Sequence, residues 1–368
     1  MQILYDHQVF SLQDAGGAAR YHYELISHML PRFDVRIELM LGMHNSIYPF
    51  ANLESVGLRV TGKVTSLRPG AKRYVFNEAL LSPISAARKA VDIYHPTFYR
   101  SMPFVRRRRM VATHHDSTHE IYPHMFHNAS LVVRNKRKLY ASADAIICVS
   151  ESSRRDLLRF FDVDPSHAFV VYHGFRPLAY SKDIDTNSTL TNRPYLLFVG
   201  FRETYKNFNS LLFSYARSGV ARDYDLVAVG GGEFRPQELS NISKLGIVGK
   251  VKSLQRVSDK SLASLYRGAA LFVYPSLYEG FGFPPLEAMS MGCPVLASST
   301  SSIPEVCGDA AFYFDPADDE DLQRSLVGIL NIGDSLSAMR ARGYAQIAKF
   351  DWNETADNTY RVYQSLLA

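Results

Sequence analysis

Glu279 and Glu287 stand eight positions apart in the stretch Tyr274-Pro275-Ser276-Leu277-Tyr278-Glu279-Gly280-Phe281-Gly282-Phe283-Pro284-Pro285-Leu286-Glu287. A carboxylate accepts hydrogen bonds from hydroxyls, so two of them on one loop suit a polyol such as a sugar or a ribose. The apolar run Ala270 to Tyr274 reads as a buried strand, Gly280 and Gly282 as a loop at its carboxyl end, and Pro284-Pro285 as the opening of a helix. A ligand above that strand meets both carboxylates and the backbone N–H groups between them. The competing reading is a solvated loop glutamate and a helix-dipole glutamate. The flanking glycines and prolines favour the binding site.

Cations accompany the carboxylates. In Phe198 to Phe208 a strand leads through Gly200 into a turn bearing Arg202 and Lys206 and then into a helix, where two positive charges and a helix amino terminus suit a phosphate. Surface salt bridging is the alternative. Gly230-Gly231-Gly232 lacks the G-x-G-x-x-G spacing of a dinucleotide fingerprint and reads as a tight turn. Gly16-Gly17, after the first strand and ahead of a helix carrying Arg20, offers a second place for close backbone approach to a phosphate or sugar.

Metal chemistry finds no pattern. His119-Glu120 and His124 have one residue too many, and a proline, for a zincin helix. His115, just after a strand, is better suited to hydrogen bonding a ligand. Three Asp-x-Asp pairs, at 162–164, 183–185 and 223–225, do not follow strands in ligand-facing positions, which argues for metal-independent chemistry. Cys148, Cys293 and Cys307 have no paired spacing and read as reduced structural residues.

The elements that must position these groups alternate along 368 residues, a length suited to two domains. Apolar runs at 2–5, 35–41, 92–95, 110–113, 145–149 and 169–172 read as strands separated by helical patterns, and the second half repeats the logic at 195–199, 225–229, 247–251, 270–274, 294–297 and 311–314. Such alternation predicts two α/β, doubly wound parallel sheets. The expected division is a first domain over 1–175, a polar linker over 176–194 and a second domain over 195–351.

Charge and histidine divide in the same way. Residues 1–175 carry 22 Lys plus Arg against 15 Asp plus Glu and hold all twelve histidines. Two basic clusters dominate, Arg106-Arg107-Arg108-Arg109 and Arg134, Lys136, Arg137, Lys138. They read either as a solvated face or as contact with anionic lipid or a lipid-linked pyrophosphate. No nucleic-acid motif accompanies them. With no apolar run long enough to span a bilayer, a cytoplasmic enzyme is expected, peripheral on the membrane's inner face at most.

Taken together, the constellation resembles the retaining glycosyltransferases of family 4, which have the GT-B fold. Glu279 to Glu287 looks like that family's E-x7-E motif, and Gly200 to Asn207 like its phosphate-binding turn. Gly16-Gly17 with Arg20 resembles its amino-terminal glycine loop, His115-Asp116 its cleft histidine, and Phe350-Asp351-Trp352 the start of a final helix, 352–368, that returns to the first domain. The resemblance implies that Glu287 binds the ribose of a nucleotide and Glu279 the transferred sugar. The backbones of Gly280, Phe281, Gly282 and Phe283 would line that sugar, with Gly17 and Gly200 approaching the donor. Arg202 and Lys206 would neutralise the diphosphate, His115 would bond the sugar or acceptor, and Val257 would touch the base. Tyr205 stands where many members carry a basic residue, which assigns the diphosphate to Arg202. The wording around Glu279 is similar to bacterial mannosyltransferases of O-antigen or capsule assembly, implying a GDP-sugar co-substrate, no separate cofactor and a saccharide acceptor on a lipid carrier. A UDP- or dTDP-sugar, or a silent nucleotide- or glycan-binding module, are the alternatives.

Overall fold

The computed structural model describes residues 1–99, 105–179, 192–202, 204–331 and 336–368. The chain forms two compact units, one of Met1–Gly174 with Asp351–Ala368 and the other of Phe175–Phe350. Within the expected linker, residues 180–191 lie outside those described.

In the first unit seven parallel strands are ordered β3-β2-β1-β4-β5-β6-β7. They are β1 Gln2–Tyr5, β2 Arg36–His44, β3 Arg59–Val64, β4 Val91–His95, β5 Arg107–His114, β6 Ala145–Cys148 and β7 Ala168–Val170. The second unit orders six parallel strands β10-β9-β8-β11-β12-β13: β8 Tyr195–Val199, β9 Asp225–Val229, β10 Val251–Leu254, β11 Leu271–Tyr274, β12 Val295–Ser298 and β13 Phe312–Phe314. Runs such as Leu226 to Val229 and Leu271 to Tyr274 are buried on both faces, the pattern helix-covered parallel strands require. Strand order reverses between β1 and β4 in one sheet and between β8 and β11 in the other. At such a switch point the loops leaving the carboxyl ends part and open a crevice.

Two strands depart from the sequence expectation. β3 was not anticipated, because Arg59-Val60-Thr61-Gly62-Lys63-Val64 lies at the sheet edge and its mostly exposed residues carry little apolar signal. The strand expected over 247–251 begins only at Val251, since Gly246, Ile247 and Lys250 donate turn hydrogen bonds to Ser243, Ile242 and Ile247 carbonyls.

Helix ends follow their side chains. Asp318 accepts from the Glu320 and Asp321 N–H groups at the start of Asp319–Leu330, and Asp351 accepts from Asn353 N–H at the start of Trp352–Leu367. That last helix packs against Gly17–Met29 in the first unit. Tyr363 links it inward, its hydroxyl 2.8 Å from Tyr5 Oη and 2.6 Å from His95 Nδ1. Among the described residues no helix is long and apolar enough to cross a membrane.

Candidate active site

At the switch point of the second sheet, the loop after β11 carries Glu279 and the turn after β8 carries Lys206. Lys206 Nζ donates to Glu279 Oε1 at 2.6 Å, and the Leu277 N–H donates to the Tyr205 carbonyl at 2.7 Å, so the two loops are joined at side chain and backbone. The ion pair is nearly buried, with side-chain exposures of 16% and 12%. Lys206 Nζ also lies 5.6 Å from the centre of the Tyr274 ring. Burial, and then the Glu279 carboxylate, push the Tyr274 phenol well above its ordinary value, so it stays protonated.

Glu287 lies in the helix Phe283–Ser290, which Gly282 precedes and Pro284 and Pro285 open. It is buried, and Tyr266 Oη donates to its Oε2 at 3.2 Å. The arrangement separates the two carboxylates. Glu279 is held against a cation on the loop, and Glu287 is held by a phenol in the helix that follows.

A run not singled out in the sequence braces the loop. Ser298, Thr300, Ser301 and Ser302, at and after the end of β12, bond to residues 274–281. Ser298 Oγ donates to the Tyr274 and Ser276 carbonyls, and Thr300 Oγ1 to the Leu277 carbonyl. Ser301 Oγ accepts from Glu279 N–H, and Ser302 Oγ donates to the Glu279 and Phe281 carbonyls at 2.9 and 3.1 Å. The signal was present in the sequence, five successive Ser and Thr residues at 298–302 leaving a strand.

Arg202 is a correction. Its guanidinium, expected at a diphosphate, is buried and turned away from Lys206. Nε donates to Glu238 Oε1 at 2.9 Å, and the terminal nitrogens donate to the carbonyls of Gly230, Gly231, Gly232 and Glu233 and to Ser253 Oγ. All three glycines have positive φ, 93°, 74° and 76°, which lets four successive carbonyls turn toward one cation. With its donors occupied, Arg202 organises the glycine turn; its neighbour Phe201 faces outward, 72% exposed. Val257 follows β10 at the same end of the sheet and is half-buried.

In the first unit Gly16 precedes the helix Gly17–Met29, and Gly17 is exposed at its start. His115 follows β5. Its Nε2 is buried with no hydrogen-bond partner among the described residues, and burial lowers its pKa to about 4, leaving a neutral ring able to bond a hydroxyl. Asp116 beside it is held at about 2: burial opposes ionisation, but Lys136, the Thr118 N–H and His114 overcome it. Lys136 is the second correction. Counted in sequence among the basic surface, it is fully buried, donating to the Asp116 carbonyl at 2.7 Å and to Glu120 Oε2 at 3.0 Å, and so anchors the segment after His115. The arginine run is partly committed as well. Arg108 and Arg109 pair with Asp92 and Asp144 at the amino end of β5, opposite the end that carries His115.

The sequence pattern of "Glycosyltransferase Family 4" matches residues 15–177 and that of "Glycosyl transferases group 1" residues 181–346. O-antigen chain mannosyltransferase B of Escherichia coli is 33% identical over 292 residues, 74% of this chain and 74% of that protein. The chain belongs to glycosyltransferase family 4. A second Escherichia coli relative of this glycosyltransferase, the serotype-specific mannosyltransferase WbdA, is 29% identical over 63% of the chain, which spans only 30% of WbdA. Among solved structures, Anabaena HepE in complex with UDP and glucose superposes with a TM-score of 0.77 at 18% identity, over 99% of this chain and all of that one. The likeness establishes the GT-B fold for the glycosyltransferase.

Proposed function

We propose that the enzyme is a retaining, metal-independent mannosyltransferase that moves mannose, or a close relative, from a GDP-sugar to a saccharide on a lipid carrier in O-antigen-type surface polysaccharide assembly. The observation that carries the reading is the Lys206–Glu279 pair at the switch point of the second sheet, with Glu287 in the helix that follows the loop. Support for mannose and for O-antigen comes from the printed activities of the Escherichia coli relatives.

The parts act in sequence. Glu287 accepts the ribose hydroxyls of the nucleotide, with Val257 and the Arg202-held glycine turn at the base side. The donor's diphosphate draws Lys206 away from Glu279, which frees Glu279 to accept hydroxyls of the sugar beside the N–H groups of 280–283. As the anomeric carbon–oxygen bond breaks, its electron pair leaves with the diphosphate, where Lys206 stabilises the added charge. The acceptor hydroxyl bonds to the anomeric carbon on the face the diphosphate leaves. Its proton passes to the departing phosphate oxygen, so no protein nucleophile is needed, unlike hydrolases with two carboxylates across the bond. His115 and the Gly16-Gly17 turn serve the sugar and acceptor.

The test separates the two carboxylates. Glu287→Ala should weaken GDP binding roughly 10- to 100-fold, the worth of charge-assisted hydrogen bonds. Glu279→Ala should leave GDP affinity within a few-fold and lower turnover by about 10²–10³. Calorimetry and a transfer assay that find neither quantity changed in either variant would remove the assignment.

A further inference from the structure

The helix Ala71–Ala87 of the first unit turns large apolar side chains outward. Its inner face buries Arg73, Tyr74, Asn77, Leu81 and Ser85. Its outer face presents Val75, Phe76, Leu80 and Ile84 at 64%, 49%, 47% and 39% exposure, at helical spacing, and Lys72 is its charged residue. A water-facing helix ordinarily carries charges outside, so an outer face of large apolar side chains marks an interaction surface. Val64 at the end of β3 and Leu67 in the loop that leads to this helix are also exposed, at 77% and 46%.

The rim says what covers it. Lys63, Arg68, Lys72 and Lys89, in the first turn of the helix and in the segments flanking it, are exposed and form no ion pair among the described residues. Between residues 55 and 91 the sequence has one acidic residue, Glu78, and it turns inward to His7, 3.5 Å away. An apolar face with an uncompensated basic border complements an anionic lipid surface. Two copies joined through the same face would bring these like charges together, which disfavours self-association.

We infer that the outer face of Ala71–Ala87, with Val64, Leu67 and their basic rim, docks this glycosyltransferase flat on an anionic bilayer. The lipid contact that was one of two sequence readings of the basic clusters thereby falls on a different element. The docking helix is coupled to the acceptor side of the unit. Gly70 N–H donates to the Ser11 carbonyl, and buried Arg73 holds the Phe10 and Ser11 carbonyls and Asp14, in the segment that leads to Gly16-Gly17. A lipid-linked acceptor held at the membrane surface then meets the glycine turn and His115 at the same sheet end. This last step rests on the proposed acceptor; the docking does not.

The full chain is tested by co-sedimentation with phosphatidylcholine vesicles with and without phosphatidylglycerol, read without donor or acceptor. Binding should require the anionic lipid and weaken with salt. Phe76→Asp with Leu80→Asp, and separately Arg68→Glu with Lys72→Glu, should lower it by at least about tenfold. Arg134→Glu with Arg137→Glu should stay near wild type. Unchanged melting temperature and GDP affinity in each variant exclude misfolding as the cause. Three outcomes overturn the inference: no binding to anionic vesicles, binding undiminished by Phe76→Asp with Leu80→Asp, or a dimer that this pair converts to monomer. Vesicle binding with no GDP binding would instead fault the donor reading alone.

Discussion

Lys206 and Arg202 lie four residues apart in one turn and act on opposite sides of it. Lys206 meets Glu279, where a diphosphate can compete for it; Arg202 is consumed by Glu238 and four carbonyls. Arg202→Met should therefore cost about 3–5 kcal/mol of stability, as removal of one member of a buried ion pair does. It should weaken GDP, GMP and guanosine by the same factor, with Arg202→Lys intermediate. Selective loss of GDP affinity, measured by calorimetry, would return Arg202 to the phosphate. The glutamates were legible in sequence because glycines and prolines beside them mark a loop entering a helix. The direction of Arg202 was not, since it depends on Glu238, thirty-six residues away, and on the left-handed turn at Gly230. Lys136 hid for the same reason, its partner Glu120 lying sixteen residues off while its neighbours Arg137 and Lys138 are exposed.

Strands buried on both faces were the easiest elements to read, because Leu226 to Val229 and Ala145 to Cys148 are unbroken apolar runs. Edge strand β3 and the start of β10 were not, since pairing at an edge leaves polar and exposed residues in the strand. Loop bracing was also out of reach. Ser302 reaches the Glu279 and Phe281 carbonyls only once β12 lies beside β11. Return of the final helix to the first unit depends on Gly174, where an added Cβ would sit 2.3–2.5 Å from the Trp352 backbone and ring. Gly174→Ala should accordingly lower the unfolding free energy by at least about 1–3 kcal/mol, the cost of forcing an atom into a packed site, and with it the denaturation midpoint, and shift the emission of Trp352. Unchanged emission and midpoint would mean that the helix does not need this close approach.

The histidine asymmetry gives the molecule a pH dependence. His22 and His173 are buried within the first unit against Tyr21, and His95 against His22, and burial lowers all three, His95 to about 3 with His115 adding to the effect. Their folded pKa values lie below the unfolded 6.5, so the unfolded chain takes up more protons in acid. Stability from this cluster is thus full above about pH 6.5 and declines as pH falls toward 4, by about 1.4 kcal/mol per pH unit for each such histidine. Trp352, the single tryptophan, lies 6.1 Å from the His173 ring and reports on this unit. Its denaturant midpoint should fall between pH 7.5 and 5.5; a constant or rising midpoint would mean that the histidines charge within the fold. For the enzyme as a whole, the most direct measurement is the anomeric configuration of the product formed from GDP-mannose and a lipid-linked saccharide in the presence of a chelator. The account predicts a product with the donor's configuration, formed at the rate seen without chelator. An inverted product, transfer abolished by chelator and restored by a divalent ion, or turnover of another sugar nucleotide but not of GDP-mannose would contradict it.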